Sequence, residues 1–119
     1  MSLSSPLFER SHILIGDEGI TRLQDSHVLI AGIGGVGSFV AEALARLGVG
    51  KLTLVDHDVV SSSNLNRQLV ALHSSLEQNK TDVMANRIQD INPDCEVATL
   101  NAFLSPDSTI CFGCAFLSK

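Results

Sequence analysis

An α/β fold with a mostly parallel sheet is what this chain of 119 residues predicts. Three observations carry that expectation. Residues 28–31 (Val-Leu-Ile-Ala) form a short, continuous apolar run. Gly32-x-Gly34-x-x-Gly37 follows at once and opens a stretch of helical periodicity. A second apolar run, Lys51–Val55, ends in Asp56. Strand, glycine turn, helix and strand in that order make a βαβ unit, whose two strands lie parallel because the connection crosses over.

The elements follow in chain order. Asp17 and Glu18 read as first-turn acids of a short helix reaching Leu23, where they complement the positive helix end. His27 opens the first strand, whose length and branched side chains suit burial on both faces. In the turn, Gly32 permits the tight bend, Gly34 lets backbone approach a phosphate, and Gly37 lets the helix pack closely on the strand; Gly35 counts with them among the expected nucleotide-binding residues. Phe39, Val40, Ala43, Leu44 and Leu47 recur at helical spacing, and Gly48 supplies the C-terminal cap. Asp56 lies 19 residues after Gly37, the spacing of an acidic residue that binds a ribose hydroxyl. Met84, Ile88 and Ile91 mark the core face of a further helix. Its start is signalled by Ser75 with Gln78 or by Asn79 with Asp82, and Asn92-Pro93 ends it. Glu96–Leu100 reads as a third strand, with Cys95 as a packing residue before it.

A lone G-x-G-x-x-G is weak evidence for a nucleotide. In strand–turn–helix context, with a second strand and a terminal Asp, it becomes specific. Taken alone, the glycines favour a dinucleotide cofactor. No G-x-x-x-x-G-K-[ST] occurs, which excludes a P-loop nucleotidase.

Composition narrows the partners. The net charge is −5 and there is no Trp or Tyr, which disfavours an RNA-stacking surface within this chain. No apolar run is long enough to cross a bilayer, and the first residues lack a signal-peptide pattern. Three cysteines make no disulfide framework, so a reducing cytoplasm is the expected location. Cys111-x-x-Cys114 is half of a tetrahedral zinc site at most and reads as a chance pair. Histidines 12, 27, 57 and 73 have no ligand spacing.

The residues after Asp56 change the nucleotide expected. Asp56-His-Asp58-Val-Val-Ser-Ser-Ser-Asn64-Leu-Asn-Arg67-Gln68 is followed twelve residues later by Lys80. With Gly32-Ile-Gly-Gly-Val-Gly-Ser38, Leu47-Gly-Val-Gly50 and Asp90-Ile-Asn-Pro93, this stretch resembles the ThiF/HesA/MoeB superfamily. These are ATP-dependent adenylyltransferases related to the ubiquitin-activating enzymes. The resemblance covers roughly residues 8 to 104. Phe8-Glu-Arg10 to Gly19, Ala41-Glu-Ala-Leu-Ala-Arg46 and Ala71-Leu-His73 are similar to the branch that dehydrates threonylcarbamoyladenosine in tRNA.

The resemblance implies a truncated, Rossmann-like three-layer domain in which a carboxylate attacks the α-phosphate of ATP, giving an acyl-adenylate and pyrophosphate. By the same resemblance Asp56 holds the ribose, Asn64, Arg67 and Lys80 contact the phosphates, and Gln68 supports the Arg67 loop. Asp58 lies near the phosphates and helps place metal or water. Arg10 reaches across a homodimer interface into the partner's ATP site. The catalytic set is thus Arg10, Arg67 and Lys80. Mg²⁺ is implied as well, its aspartate expected beyond the end of this chain and no metal ligand within it.

Simpler readings stand beside these. Arg67 and Lys80 are both residue types that usually sit on the surface as solvated charges. Lys80 stands at a helix start, where a cation opposes the dipole, and an anionic ligand explains it better. Arg10 gains a role only from the resemblance.

The expected organisation is an N-terminal helical arm (1–25), the N-terminal half of a nucleotide-binding domain (26–104) and a divergent tail (105–119). The apolar segment 109–117 is read as a possible strand. The implied partners are ATP and tRNA, with no membrane. Alternatives are an activator of a ubiquitin-like sulfur-carrier protein, acting in sulfur relay, and a non-catalytic nucleotide-binding remnant. An NAD-dependent oxidoreductase leaves Asn64, Arg67 and Lys80 idle. Without the second half of the family fold, the sheet presents an edge that invites self-association, and the chain by itself is expected to bind ATP weakly without turnover.

Overall fold

The structure, a computed structural model, describes residues 6–103, 109–111 and 116–118. Its first part runs α1 (Glu9–Gln24), β1 (His27–Ala31), α2 (Gly37–Leu47), β2 (Lys51–Val55), α3 (Lys80–Ile91) and β3 (Glu96–Leu100). The three strands form one parallel sheet in the order β1-β2-β3, with His27 opposite Lys51 and Lys51 opposite Glu96. The predicted α/β class with a parallel sheet is therefore what the chain adopts. Two short strands, β4 (Thr109–Cys111) and β5 (Phe116–Ser118), pair antiparallel, with Ile110 opposite Leu117. The apolar stretch read as one strand thus makes a pair. Cys114 lies outside the described residues, so the Cys111–Cys114 reading does too.

β2 is the middle strand, and Leu52, Thr53, Leu54 and Val55 are all buried. That is why it reads as a continuous run rather than an alternating one. Helices α2 and α3 pack side by side against the same core. Ala41 and Ala45 of α2 and Met84 and Ile88 of α3 join Ile30, Leu52 and Leu54 in one cluster. The small alanines let α2 approach the sheet. Each of the larger apolar side chains contributes roughly 1.5–3 kcal/mol on burial. Arg87 and Glu42 form an ion pair that ties the two helices together at their rim.

α2 ends as its sequence predicts, on Gly48 with φ 105° and its N–H bonded to Leu44 O. The next orphan carbonyl, Ala45 O, takes a hydrogen bond at 3.1 Å from Nδ2 of Asn92. Asn92 is buried. The residue that stops α3 therefore also satisfies the end of α2, a link that local patterns do not reveal. Asn92→Ala should cost about 1–3 kcal/mol by leaving a buried acceptor unpaired. Urea unfolding checks this; an unchanged midpoint would contradict it.

Two ends differ from the reading of the sequence. α1 is longer, running from Glu9, and breaks at Gly16, whose φ of 67° and ψ of −177° are not helical. Asp17 and Glu18 begin the second segment, as expected, and His12 bonds Asp17 across the break at 2.6 Å. The first segment lacks a clean apolar periodicity, since Ile13 and Leu14 face solvent, and so it was not legible. At the start of α3, Asn79 is the capping residue, with its side chain bonded to Asp82 at 3.2 Å. Ser75 closes its own turn instead, accepting from Leu72 N–H at 2.9 Å.

Cys95 packs in the core as expected. Burial, with the charge of Glu96 beside it, pushes its thiol pKa up, so it stays protonated and inert at neutral pH. No helix among the described residues is long and apolar enough to cross a membrane.

Candidate nucleotide site at the strand ends

Parallel strands bring all their C-terminal ends to one side. Gly32, Asp56 and Phe103 follow β1, β2 and β3 respectively, and they line a cleft of about 310 Å³ with Ala31, Val55, His57, Asp58 and Ala102. Crevices at this end of an open α/β sheet are where ligands bind.

Asp56 organises the cleft. Its Oδ2 accepts from Ile33 N–H at 2.7 Å and its Oδ1 from Asp58 N–H at 2.9 Å. Gly32 N–H donates to Val55 O at 2.8 Å beside it. The carboxylate thus pins the glycine turn to the end of β2, and each oxygen retains acceptor capacity for a ligand hydroxyl.

The turn leaves donors free. Among the described residues, no backbone carbonyl takes the N–H of Gly34, Gly35 or Val36. α2 starts without a side-chain cap and without an acidic residue in its first turn. An uncapped helix start with three open N–H groups is an anion site in waiting. Gly37 is what allows the geometry. A Cβ there would stand 1.7 Å from the carbonyl oxygen of Gly32.

The segment between β2 and α3 folds over this turn. Ser61 donates from its N–H and hydroxyl to Asn64 Oδ1, at 2.9 and 3.1 Å. That oxygen is committed to the turn, and Asn64 itself is buried. Val70 and Ala71 are buried in the core and anchor the segment. Gln68 is buried too, with Nε2 3.7 Å from where a Cβ on Gly34 would lie. Its Oε1 has no hydrogen-bond partner among the described residues. The stem of Arg67 lies over Gly35, with Cγ 3.9 Å from the equivalent point. Its guanidinium is exposed and donates to Ser63 O at 3.2 Å and Asn66 Oδ1 at 2.9 Å.

Lys80 arrives from α3. A short ladder, Val60 N–H to Gln78 O and Glu77 N–H to Val60 O, each at 2.8 Å, leads to Lys80 N–H on Asp58 O at 3.1 Å. The Lys80 ammonium stands 3.7 Å from Asp58 Oδ2, and its side chain is only 7% exposed. A buried cation at a helix start, held by one half-exposed carboxylate, is placed to meet a further anion.

So the structure brings together Gly32, Gly34, Gly35, Gly37, Asp56, Asp58, Gln68, Arg67 and Lys80 around the same strand ends. Arg10 is not among them; it is exposed on α1, and no ion pair to it occurs among the described residues. The sequence reading passed over one pair, His57 and Phe103, whose rings meet edge to face at 5.0 Å and 84°. His57 lies inside the Asp56–Asp58 stretch and Phe103 outside any motif, and only the parallel strand order brings the two close.

His57 also joins Asp56 and Asp58, with ligand atoms from the three within 4.8 Å of one another. This set does not fit an all-protein Mg²⁺ site. Both oxygens of Asp56 already accept backbone N–H groups, Lys80 faces Asp58, and Mg²⁺ prefers an octahedron of oxygens with several waters. Asp58 fits a metal held mainly by phosphates.

Fold and site together define an open parallel α/β domain whose strand ends carry an uncapped glycine turn, an arginine and a lysine. The ThiF family pattern matches residues 8–116, and the chain belongs to that family. It is 52% identical over 101 residues to a tRNA threonylcarbamoyladenosine dehydratase of Bacillus subtilis, covering 85% of this chain and 40% of that protein. The crystal structure of the Escherichia coli tRNA N6-threonylcarbamoyladenosine dehydratase in complex with ATP matches with a TM-score of 0.80 and 45% identity, over 82% of this chain and 40% of that one. A molybdopterin-synthase adenylyltransferase of Escherichia coli is 40% identical over 99 residues, again covering 82% of this chain and 40% of the relative. The chain thus spans about two fifths of the length of these relatives.

Proposed function

We propose that this chain is the nucleotide-gripping part of an ATP-dependent adenylyltransferase of the tRNA threonylcarbamoyladenosine dehydratase type. The observation that carries the reading is Asp56, bonded at once to the glycine turn and to the backbone after β2. The turn it holds leads into the uncapped start of α2, and the neighbouring Asp58 meets Lys80. The relative whose structure contains ATP supports the choice of nucleotide.

In this reading the carboxylate of Asp56 holds a ribose hydroxyl. The free N–H groups of the glycine turn, with Arg67, Lys80 and the Nδ2 of Asn64, hold the phosphates. The unpaired Oε1 of Gln68, beside Gly34, accepts from a donor on the ligand or its waters. Mg²⁺ supplies charge neutralisation on the phosphates when bound. The residues themselves mainly position and stabilise charge, which is most of what such a transfer needs. Arg67 gives a planar fork and Lys80 a point charge. Arg10, exposed and away from the cleft, serves the partner's site in a homodimer. The arm (1–25), the nucleotide-binding part (26–104) and the tail (105–119) remain the proposed division, and the cytoplasm the proposed location.

The test is a chimera in which residues 8–104 replace the matching segment of the Bacillus subtilis relative. It should form pyrophosphate from ATP in the presence of threonylcarbamoyladenosine tRNA. A folded chimera with no turnover, beside an active parent, would sink the proposal. The 119-residue chain alone is expected to bind ATP and release no pyrophosphate. Similarity to the molybdopterin-synthase adenylyltransferase keeps a second reading, activation of a ubiquitin-like sulfur carrier; capture by a protein ending in Gly-Gly would favour it.

A further inference from the structure

Apart from glycines, one residue among those described has a positive φ. Glu77 stands at φ 69°, a conformation that Gly and Asn enter readily and other residues rarely do. Leu76 before it has φ −55° and ψ 138°, and Gln78 N–H donates to Ser75 O at 3.1 Å. These are the features of a type II turn over residues 75–78, whose third position calls for a positive φ and so favours Gly. Here a glutamate holds that position. Its side chain is exposed and makes no hydrogen bond or ion pair among the described residues, so no contact of the carboxylate offsets the strain. Backbone strain of this kind persists only where the surroundings over-determine it, and it gathers at functional sites.

Both sides of the turn are fixed. Before it, Ser75 is buried and its hydroxyl donates to Val70 O. After it, Glu77 N–H donates to Val60 O, Val60 N–H donates to Gln78 O, and Val59 bridges Asn79 antiparallel. The next bond, Lys80 N–H to Asp58 O at 3.1 Å, sets the start of α3. It leaves the Lys80 ammonium 3.7 Å from Asp58 Oδ2, and Asp58 lines the cleft. This run of bonds forms only if the chain reverses at Leu76 and Glu77.

We propose that Glu77 is a positioning residue for Lys80: its left-handed backbone closes the ladder that brings the ammonium to Asp58. The residue acts through its backbone, and its carboxylate has no part. The inference rests on the reading of Lys80 as a phosphate contact and adds what holds that lysine in place. Residues that accept a positive φ keep Lys80 beside Asp58. A β-branched residue tolerates that φ least, so it opens the ladder and lets the ammonium leave the cleft.

Calorimetry with ATP and Mg²⁺, joined to amide exchange followed by nuclear magnetic resonance, tests this on the full 119-residue chain. Glu77→Gly should bind ATP at least as tightly as the parent, and protection of the Lys80 amide should rise about two- to fivefold. Glu77→Asn should follow Glu77→Gly. Glu77→Val should weaken ATP about tenfold and lower protection of the Lys80 amide, while the amides of β2 keep theirs. Beside Lys80→Met, Glu77→Val should have no further effect on ATP, a coupling that a purely structural role does not produce. Equal losses of affinity in Glu77→Gly and Glu77→Val would assign the role to the carboxylate and overturn the proposal. So would Glu77→Val binding ATP like the parent, or its loss persisting in full beside Lys80→Met. In each of these cases a parent that binds ATP leaves the nucleotide reading standing. A parent that binds no ATP removes that reading, and the positioning role falls with it.

Discussion

Gly37→Ala should abolish ATP binding and destabilise the fold, the largest effect expected of any single methyl group in this chain. The added Cβ would sit 1.7 Å from Gly32 O and 2.9 Å from Gly32 C. Neither atom is the end of a flexible side chain, so α2 or the turn has to move. Overpacking of this kind costs about 3 kcal/mol or more when backbone is the obstacle. For a domain of this size that lowers Tm by roughly 10 °C or more. The same movement displaces the open N–H groups of Gly34, Gly35 and Val36. Gly35→Ala is the internal control. Its Cβ would meet nothing closer than Arg67 Cγ at 3.9 Å, an ordinary contact, and Tm should hold. Equal melting of the two variants would contradict the close-approach argument.

Lys80→Met should separate binding from stability. The methionine keeps the buried stem and removes the charge. In the ligand-free chain this relieves a cation at the start of α3 and takes away one partner of Asp58, which is half exposed and can turn to water. Stability should therefore stay level or rise slightly, by at most about 1 kcal/mol. ATP affinity should fall about ten- to hundredfold, the worth of a charge-assisted contact of about 1.5–3 kcal/mol. A solvated structural lysine predicts the opposite pattern, with little change in ATP affinity. Calorimetry for binding and urea unfolding for stability, run on the same preparation, distinguish the two.

The frame of the molecule was legible because its signals are local. The run 28–31, the glycine turn, the stripe from Phe39 to Leu47 and the strand ending at Asp56 each specify their structure within a few residues. All of them formed where their patterns lie. Asp56 was legible for the same reason, by its spacing from Gly37. The contacts that build the site were less so. Lys80 meets Asp58 through a ladder between residues 58–60 and 77–80, which has no periodicity to read. Asn64 was expected to serve the phosphates, and half of its amide instead closes its own turn. Asn92 looked like a simple helix stop, and its bond to Ala45 depends on α2 and α3 packing side by side. His57 and Phe103 are 46 positions apart and meet only because β2 and β3 are neighbours. Long-range pairs of this sort follow from topology, which the chain reveals one element at a time.

Asp56 after a glycine turn suits both ATP and a dinucleotide, and in the proposed function Asn64, Arg67 and Lys80 are what favour the triphosphate. The most direct test is therefore a competition by calorimetry, titrating ATP with Mg²⁺ and then NAD into the same 119-residue chain. The account predicts measurable binding of ATP, weaker in Lys80→Met, and NAD binding weaker than ATP. NAD binding more tightly than ATP, with Lys80→Met indifferent to both, would contradict it.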